Sequence, residues 1–567
     1  ELEENLVFLR PLGLRLGTCD RTEAAETTAS ADAPAWEKDT SPIDMEWFVG
    51  ASWYGYTWGD SLSTRHITEK TGVNINIVTP TGDVSEELNL MMISGTLPDL
   101  ISLGSWETCY NTLYEQGYTY ALNELADQYD PYFWKVVDGS VVAWHTKSDG
   151  NLYCVPNDAY GAEQMAETGM TAAVQTFLVR KDLYEDMGSP DMSTPEGFLN
   201  TLRTLKNEYA TYKGVDITPF YAQGGSGYGL TSYLQNFLAV PYEEDGKIYD
   251  RISNPDYIEW LKTFRQAYQE GLIGIDYLVD SDDQVTEKSN NGAYFCMLRE
   301  WSGMQEANAI LASSENPDSY YIAIDGPANS NGDAPLIFPG SLDGWMSTFI
   351  SKDCKDPARA IAFLTYMLSE EGQKDIFLGV EGETYEVVDG KPQLTDEMIE
   401  LMNSDPNTFA TQYGLVDTYW MLRNSVIVDQ WRPASPYYIT AMSDWADKNA
   451  FVNGGIYNNL EPTGDSDEAI AATRINQRWQ EVVPELITAA SDEEFDKILS
   501  DFLAARDSYG PDALRYDIES YPGDEDGTRG GRKPLPVHHS VDESLLRTSG
   551  WLCQLPSADA GTGSVCG

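Results

Sequence analysis

Short apolar strands alternate with helices in the first third of the chain, and this order constrains the fold more than any other sequence feature. Residues 45–50 (MEWFVG), 73–79 (VNINIVT) and 99–103 (DLISL) have the character of strands. Residues 85–95 (SEELNLMMISG) place apolar side chains at helical spacing and end on a glycine. The β-α-β-α-β order predicts a mostly parallel sheet covered by helices, because parallel neighbours need long crossover connections.

Aromatic residues come directly after these strands. Trp53, Tyr54, Tyr56 and Trp58 follow the first strand, and Trp106 follows the third. Ligands of parallel sheets bind at the carboxyl ends of the strands. Four aromatic rings spaced by glycines in one loop cannot all point into a core. We therefore expect at least one of them to contact a ligand, with packing at the edge of the core as the alternative.

Composition narrows the function classes. The 567 residues suggest two or three domains. Lys and Arg total 36 against 91 Asp and Glu, and the resulting net charge of −55 disfavours binding to nucleic acid or anionic membranes. Outside the C-terminal tail the only histidines are His66 and His145, so a charge relay or a zinc site is not expected. The sequence also lacks an EF-hand calcium loop, and no metal or other cofactor is predicted.

The seven cysteines form no CxxC pair. Four of them, in the body of the chain, occupy apolar stretches, which favours buried free thiols; a Cys109–Cys154 disulfide remains open as the alternative. Residues 1–41 are predicted to be a disordered leader or tether, and residues 523–567 a disordered or non-native tail. Cys19 opens a polar Ala/Thr/Glu-rich stretch and resembles the lipid-modified cysteine of bacterial lipoproteins, an altered leader being the alternative.

Several sequence blocks in the body resemble, in order, those of one family. They are ISGTLPDLI (93–101), DGNLYCVPND (149–158), FLVRKDLYEDMG (177–188) with STPEGFLNTLRTLK (193–206), DGKIYDRISNPDYIEWLKTFRQAYQEGLI (245–273), CKDPARAIAFLTYMLSEEGQ (354–373) and GVEGETYEVVDGKPQLTDE (379–397). Each block alone is weakly specific. Together they resemble the extracellular solute-binding proteins of ABC sugar importers in Gram-positive bacteria, the large oligosaccharide-binding kind.

The resemblance implies an α/β, two-lobed periplasmic-binding-protein-like fold with discontinuous lobes, hinge crossovers and a central ligand cleft. Lobe one would comprise residues 42–160 and 325–375, and lobe two residues 161–324 and 376–522. The implied protein is an extracellular, lipid-anchored monomer that does not span the membrane. Its implied partners are an oligosaccharide and the permease subunits of an ABC transporter.

Further ligand residues follow from the sequence and the resemblance. Trp301 matches the family's second-lobe sugar-stacking tryptophan, with an ordinary core tryptophan as the alternative. Arg180 matches the family's arginine before Lys-Asp, for which a structural salt bridge is an equal alternative. Trp345 lies between a turn and a strand, and Asp343 beside it is a candidate hydroxyl acceptor. Tyr228 lies in a glycine-rich loop that lacks the lysine of a phosphate-binding loop.

Three functions therefore remain open. The resemblance favours a non-catalytic protein that captures an oligosaccharide by closure of its lobes. A glycoside hydrolase would need two carboxylates flanking the scissile bond. Glu381 and Glu383 are the nearest candidates, and we interpret them as structural because they lie in a block shared with a non-enzymatic family. A binding protein for peptides or another polar solute is the third possibility, since aromatic clefts also hold peptides.

Overall fold

The computed structural model describes most of the body of the chain. The described residues are 32–161, 164, 171–224, 228–245, 247–275, 280–340, 342–451 and 467–509. The predicted tail 523–567, almost all of the predicted tether, and Cys19 lie outside them. Within the described residues no helix is long and apolar enough to cross a membrane.

Two sheets form the centre of the molecule, and we number their strands in chain order. They are β1 (Ile43–Val49), β2 (Val73–Val78), β3 (Leu100–Gly104), β4 (Cys154–Pro156), β5 (Gln175–Arg180), β6 (Thr218–Ala222), β7 (Tyr294–Glu300), β8 (Tyr321–Ala323) and β9 (Met346–Ile350). Three small hairpins pair Thr211–Tyr212 with Val215–Asp216, Glu243–Glu244 with Lys247–Ile248, and Tyr385–Val388 with Lys391–Leu394.

Helices surround both sheets. The longer ones are α1 (Leu62–Thr71), α2 (Val84–Ser94), α3 (Leu122–Tyr129), α4 (Pro195–Glu208), α5 (Pro255–Gln269), α6 (Asp282–Asn290), α7 (Gln305–Ala312), α8 (Pro357–Leu368), α9 (Glu370–Phe377), α10 (Asp396–Ser404), α11 (Tyr437–Lys448), α12 (Asp467–Thr488) and α13 (Asp492–Tyr509). Shorter helical turns are Ala35–Glu37, Tyr110–Glu115, Phe133–Val136, Gly139–His145, Lys181–Asp186, Tyr228–Tyr233, Leu234–Phe237, Arg251–Ser253, Ser302–Met304, Pro406–Thr408, Phe409–Tyr413, Trp420–Leu422, Ser425–Val428 and Asp429–Trp431.

The first sheet has the order β2-β1-β3-β9-β4. β1 pairs in parallel with β2 and β3, as the strand-helix alternation predicts, while β9 is antiparallel to both β3 and β4. The sheet is therefore mixed rather than mostly parallel. The difference arises at β9, because the chain re-enters this sheet from the second one and starts β9 at the edge where β1, β3 and β4 end.

Local sequence signals explain where the covering helices begin and end. Asp83 caps α2 by accepting a hydrogen bond from the Glu86 amide at 2.8 Å, and Gly95 closes the helix with a left-handed backbone. Ser61 and Gly72 cap α1 in the same manner. The glycine predicted to stop the helix at residue 95 therefore does so.

The second sheet has the order β8-β5-β7-β6. β7 is parallel to β6 and antiparallel to β5, and β8 is antiparallel to β5. A separate hydrophobic core surrounds this sheet, with Trp260, Phe264 and Phe198 packed edge to face. We call each sheet with the segments packed against it the first lobe and the second lobe.

Residues 376–431 pack against the first lobe, although the sequence-based division assigned all of 376–522 to lobe two. Ile376 and residues 419–422 belong to the core around the first sheet, and the Ser63 hydroxyl on α1 donates to the Gly414 carbonyl at 2.8 Å. The second lobe receives the chain from α11 onward, where Ile439 and Met442 join its core. Apolar periodicity alone could not assign these helices, because it shows which face is buried but not against which sheet.

Cys109, Cys154, Cys296 and Cys354 are buried and free. This confirms the expected free thiols in the body of the chain, and the alternative Cys109–Cys154 disulfide is not formed. Both of these cysteines pack in a small apolar cluster beside the first sheet. They contribute as small hydrophobic side chains.

In the part of the chain that the structure describes, three connections join the lobes: the first leads from β4 to β5, the second from β8 to β9, and the third, residues 432–436, leads into α11. The first two pack tightly against each other. A Cβ on Gly340 would lie 2.0 Å from the Tyr160 hydroxyl, and a Cβ on Gly344 would lie 2.1 Å from the Asn157 carbonyl oxygen. Gly344 also has a left-handed backbone with φ of 61°. Glycine is therefore required at residue 344 both by backbone conformation and by space.

We expect Gly344→Ala to destabilise the protein strongly, and Gly332→Ala in the same connection is the matched control. Gly332 shares the left-handed backbone, with φ of 71°, but a Cβ there meets nothing within 4 Å. The control should lose about 1 kcal/mol of unfolding free energy, the cost of the left-handed conformation alone. Gly344→Ala should lose at least ~3 kcal/mol, because the Asn157 backbone must also move. If urea unfolding shows equal losses of unfolding free energy in the two variants, the close packing of the first two connections at residue 344 is contradicted.

Candidate ligand-binding site

One edge of the first sheet gathers residues that are far apart in sequence. β1, β3 and β4 end at this edge and the antiparallel β9 begins there, with Met346 opposite Gly104 and Ser347 opposite Pro156. The residues that follow or precede these strands are therefore neighbours. The edge carries Trp53, Trp106, Asp158 and Trp345.

Trp53, Trp420 and Trp345 form a continuous row of rings, which we call the aromatic platform. The Trp53 and Trp420 centroids are 5.6 Å apart with the planes inclined by 31°, and those of Trp420 and Trp345 are 4.3 Å apart at 37°. Trp53 is 65% exposed, Trp345 is half-buried and Trp420 is only 7% exposed. The platform thus presents a supported, open aromatic face at the edge of the sheet.

Trp420 was not expected in this position. It lies in a short 3-10 turn, Trp420–Leu422, that packs against β9. The Asn157 side chain holds this turn by donating to the Trp420 carbonyl at 3.1 Å. Only the fold places residue 420 beside residues 53 and 345, so no local pattern could have identified it.

The other aromatics of the loop after β1 play different parts. Tyr54 is buried, and its hydroxyl donates to the Thr418 carbonyl at 3.0 Å. Trp58 is buried in the first core, with its indole N–H donating to the Thr68 hydroxyl at 3.0 Å. Neither presents a face to a ligand, which corrects their prediction as contact residues. Tyr56 is half-buried and lies beside Tyr54.

Two further predicted residues flank the platform. Trp106 is 61% exposed and its ring lies directly over Gly104, where a Cβ would approach the ring to 2.3 Å. Asp343 is half-buried and accepts a hydrogen bond from the Trp144 indole at 2.7 Å. A carboxylate accepts several hydrogen bonds, so Asp343 retains the capacity to bind a ligand hydroxyl.

An ion-pair network lies beneath the platform. Asp158 accepts hydrogen bonds from Arg423 Nε at 2.9 Å and Nη2 at 2.6 Å, from the Ser425 hydroxyl at 2.5 Å and from the Trp345 indole at 3.2 Å. Arg423 also donates to Asp417. Within the described residues, Trp345 is thus the only ring of the platform that forms a hydrogen bond with a charged side chain.

Asp417 and its two arginines remain charged. Desolvation opposes ionisation of Asp417, but the attraction of Arg423 and Arg432 outweighs it and holds the pKa of the carboxyl well below its usual range. For Arg423 desolvation is likewise outweighed, by Asp158 and Asp417, so the pKa of the guanidinium is raised. The Asp417 side chain keeps 40% of its surface exposed, so solvent screens part of this attraction.

The facing edge belongs to the second lobe. β6, β7 and β8 end there and β5 begins there, and the first two connections enter and leave the lobe at this edge. Trp301 follows β7, is half-buried, and donates its indole N–H to the Ala173 carbonyl at 2.9 Å. It packs against the second core while part of its ring stays accessible.

Arg180 is not available to a ligand. It is 2% exposed, and its guanidinium donates to Asp182 at 2.9 Å and to the Gly292 carbonyl at 2.7 Å. The structural salt bridge therefore replaces the predicted ligand role. The side chain of Tyr228, also predicted at the site, lies outside the described residues.

The two edges approach each other. Tyr56 of the first lobe is half-buried, and desolvation together with the negative charge of Glu306 on α7 of the second lobe raises the pKa of its hydroxyl. Glu306, which no sequence pattern indicated, therefore lies near enough to influence Tyr56 of the other lobe. Among the described residues no group of three or more His, Cys, Asp or Glu side chains is placed to hold a metal ion.

Known proteins resemble the chain in sequence. The model of the family described as bacterial extracellular solute-binding protein matches residues 55–374. The fructooligosaccharide ABC transporter substrate-binding protein FusA of Streptococcus pneumoniae serotype 4 is 25% identical over 275 residues, 46% of this chain and 49% of FusA. Lipoprotein LipO of Bacillus subtilis is 22% identical over 343 residues, 58% of this chain and 65% of LipO. The chain thus spans about half of FusA and under two thirds of LipO.

Solved structures share the fold. The alginate-binding protein AlgQ2 superposes with a TM-score of 0.64 at 18% identity, covering 86% of this chain and 100% of AlgQ2. FusA of S. pneumoniae in complex with kestose gives a TM-score of 0.61 at 17% identity, covering 83% of this chain and 96% of that one. These similarities confirm the predicted α/β, two-lobed periplasmic-binding-protein-like fold. Because the family match extends over more than half of the chain, this protein belongs to the bacterial extracellular solute-binding protein family.

Proposed function

We propose that this protein is the substrate-binding component of a carbohydrate ABC transporter, which captures an oligosaccharide between its lobes and delivers it to a membrane permease. The aromatic platform carries the proposal, since it presents the 65% exposed Trp53 at the sheet edge where the first two connections to the second lobe leave and return. A sugar ring has apolar C–H faces that pack on aromatic rings and a rim of hydroxyls that bond to groups such as Asp343. The relative FusA is named as a fructooligosaccharide ABC transporter substrate-binding protein, which supports the same ligand class.

The proposal extends to location and partners. Membership of an extracellular family, and the name of the lipoprotein relative LipO, support a cell-surface lipoprotein of a Gram-positive bacterium, anchored through Cys19. The protein would act as a monomer without a cofactor and present its closed form to the permease subunits. The family is one of solute-binding proteins, so the proposed role is capture rather than hydrolysis.

Thermal shift with a panel of solutes tests the ligand class. The panel contains short neutral oligosaccharides, anionic oligouronates and short peptides, each incubated with the protein and then analysed for cleavage products. A neutral or anionic oligosaccharide should raise the melting temperature and be recovered intact, because a ligand that binds only the folded state stabilises it. Cleavage products would support the glycoside hydrolase instead. Stabilisation by peptides alone would contradict a carbohydrate ligand.

Replacement of Trp53 tests the aromatic platform directly. We expect Trp53→Ala to raise the Kd for the stabilising oligosaccharide by about tenfold or more, since this corresponds to losing ~1.4 kcal/mol of ring contact. The unfolding free energy should change by less than about 1 kcal/mol, because the ring is mostly exposed. Isothermal titration calorimetry and urea unfolding measure the two quantities.

Trp134→Ala is the matched control. Trp134 is also an exposed first-lobe tryptophan, with its indole bonded to Asp127 at 2.8 Å, but it lies on the helix Phe133–Val136 rather than at the sheet edge. Its loss should leave the Kd unchanged. An unchanged Kd in Trp53→Ala would show that the ring does not contact the ligand. An equal rise of the Kd in both variants would show a general effect of tryptophan loss.

A further inference from the structure

All three connections between the lobes meet in the network beneath the platform. Asp158 lies in the first connection, Trp345 ends the second, and Arg432 begins the third. Asp158 and Asp417 link them through Arg423, which bonds to both carboxylates. No local sequence feature indicates this meeting, because the residues are separated by up to 274 positions, from 158 to 432.

The bonds run in one chain from the platform to the third connection. The Trp345 indole donates to Asp158 at 3.2 Å, and Arg423 joins Asp158 to Asp417. Arg432 then donates to Asp417 through both amino groups, at 2.7 and 3.0 Å. Asp158 thus accepts from Arg423, Ser425 and Trp345, and Asp417 accepts from Arg423 and Arg432, so Arg423 connects the two carboxylates.

The central ion pair of the network is largely removed from solvent. The side chains of Asp158 and Arg423 keep only 10% and 19% of their surface exposed, and burying an ion pair is often neutral or unfavourable for stability. Asp158 also has a left-handed backbone with φ of 47°, a conformation that aspartate tolerates better than most residues but less well than glycine. Backbone strain of this kind persists where the surrounding structure enforces it and often accompanies a functional constraint.

We propose that this network is a positioning device for the ligand site. Asp158 sets the orientation of Trp345 in the aromatic platform, and Arg423 and Asp417 couple that orientation to Arg432 in the third connection. Charges that do not contact the ligand then determine both its affinity and the arrangement of the connections. The inference rests on the proposed function for the ligand, but the orientation of Trp345 is testable without one.

The first test needs no ligand. Protein labelled with 5-fluorotryptophan is studied by ¹⁹F NMR, with the Trp345 resonance assigned from its absence in Trp345→Phe. Asp158→Asn and the distant Arg432→Gln should both shift this resonance by more than its linewidth. Asp375→Asn is the control, because Asp375 is a buried first-lobe carboxylate paired with Lys70 at 2.6 Å but lies in none of the connections. The control should leave the Trp345 resonance in place.

The second test measures affinity for the panel oligosaccharide that stabilises the wild-type protein most. Both network variants should raise its Kd by about tenfold or more, while the control stays within about twofold. If either readout stays at its wild-type value in a folded network variant, the inference is overturned. If Asp158→Asn does not fold, Arg432→Gln decides, since it leaves the Trp345 bond intact. If the wild-type protein binds no oligosaccharide, the proposed function fails, and the ¹⁹F measurement alone decides the inference.

Discussion

The close contact between the first and second connections determines the geometry of the candidate site. Gly344 passes so near the Asn157 carbonyl that no side chain fits between them. The Asn157 side chain then accepts from the Met346 amide at 2.9 Å and donates to the Trp420 carbonyl at 3.1 Å. One buried amide thus joins the end of β4, the start of β9 and the turn that carries Trp420. Two rings of the aromatic platform, Trp345 and Trp420, therefore stand on backbone segments that the same side chain fixes.

Capture by closure of the lobes requires that the ligand make more favourable contacts in the closed form than in the open form. A ligand shifts the balance between open and closed forms only as far as it binds the closed form better, so it must contact both lobes. The first lobe offers exposed rings on a rigid base, and the second offers the partly accessible Trp301 and the acidic start of α7. Connections that share one charged network can change their geometry together, whereas three independent linkers would each move separately. The shared network is therefore better suited to a hinge.

Much of the fold could be predicted from the sequence. The strands β1 to β3, α2 and its closing glycine are local features set by apolar periodicity and capping residues. The antiparallel β9 and the packing of residues 376–431 were not predictable in this way, since they depend on where the chain returns after an excursion through the second lobe.

The candidate site, like the fold, contains some residues that could be predicted from the sequence and others that could not. Trp53, Trp106 and Trp345 were identified because they adjoin strands, whereas Trp58 and Tyr54 share that position but are turned into the core. Sequence position shows which strand end a residue follows, but not the direction of its side chain. Trp420, Asp158 and Arg423 were not among the predicted site residues, because their positions arise only from contacts between distant segments. Arg180 matched a family pattern, but in this chain its guanidinium forms a buried ion pair with Asp182.

The central claim is that an oligosaccharide draws the two lobes together. Its most direct test is the distance between spin labels at Glu86→Cys of the first lobe and Glu315→Cys of the second, both exposed positions, with Cys19, Cys553 and Cys566 replaced by serine. Pulsed electron–electron double resonance should give a broad distribution of distances between the labels without ligand. With a stabilising oligosaccharide the distribution should become narrower and move to shorter distances. An unchanged distribution at saturating oligosaccharide would contradict capture between the lobes.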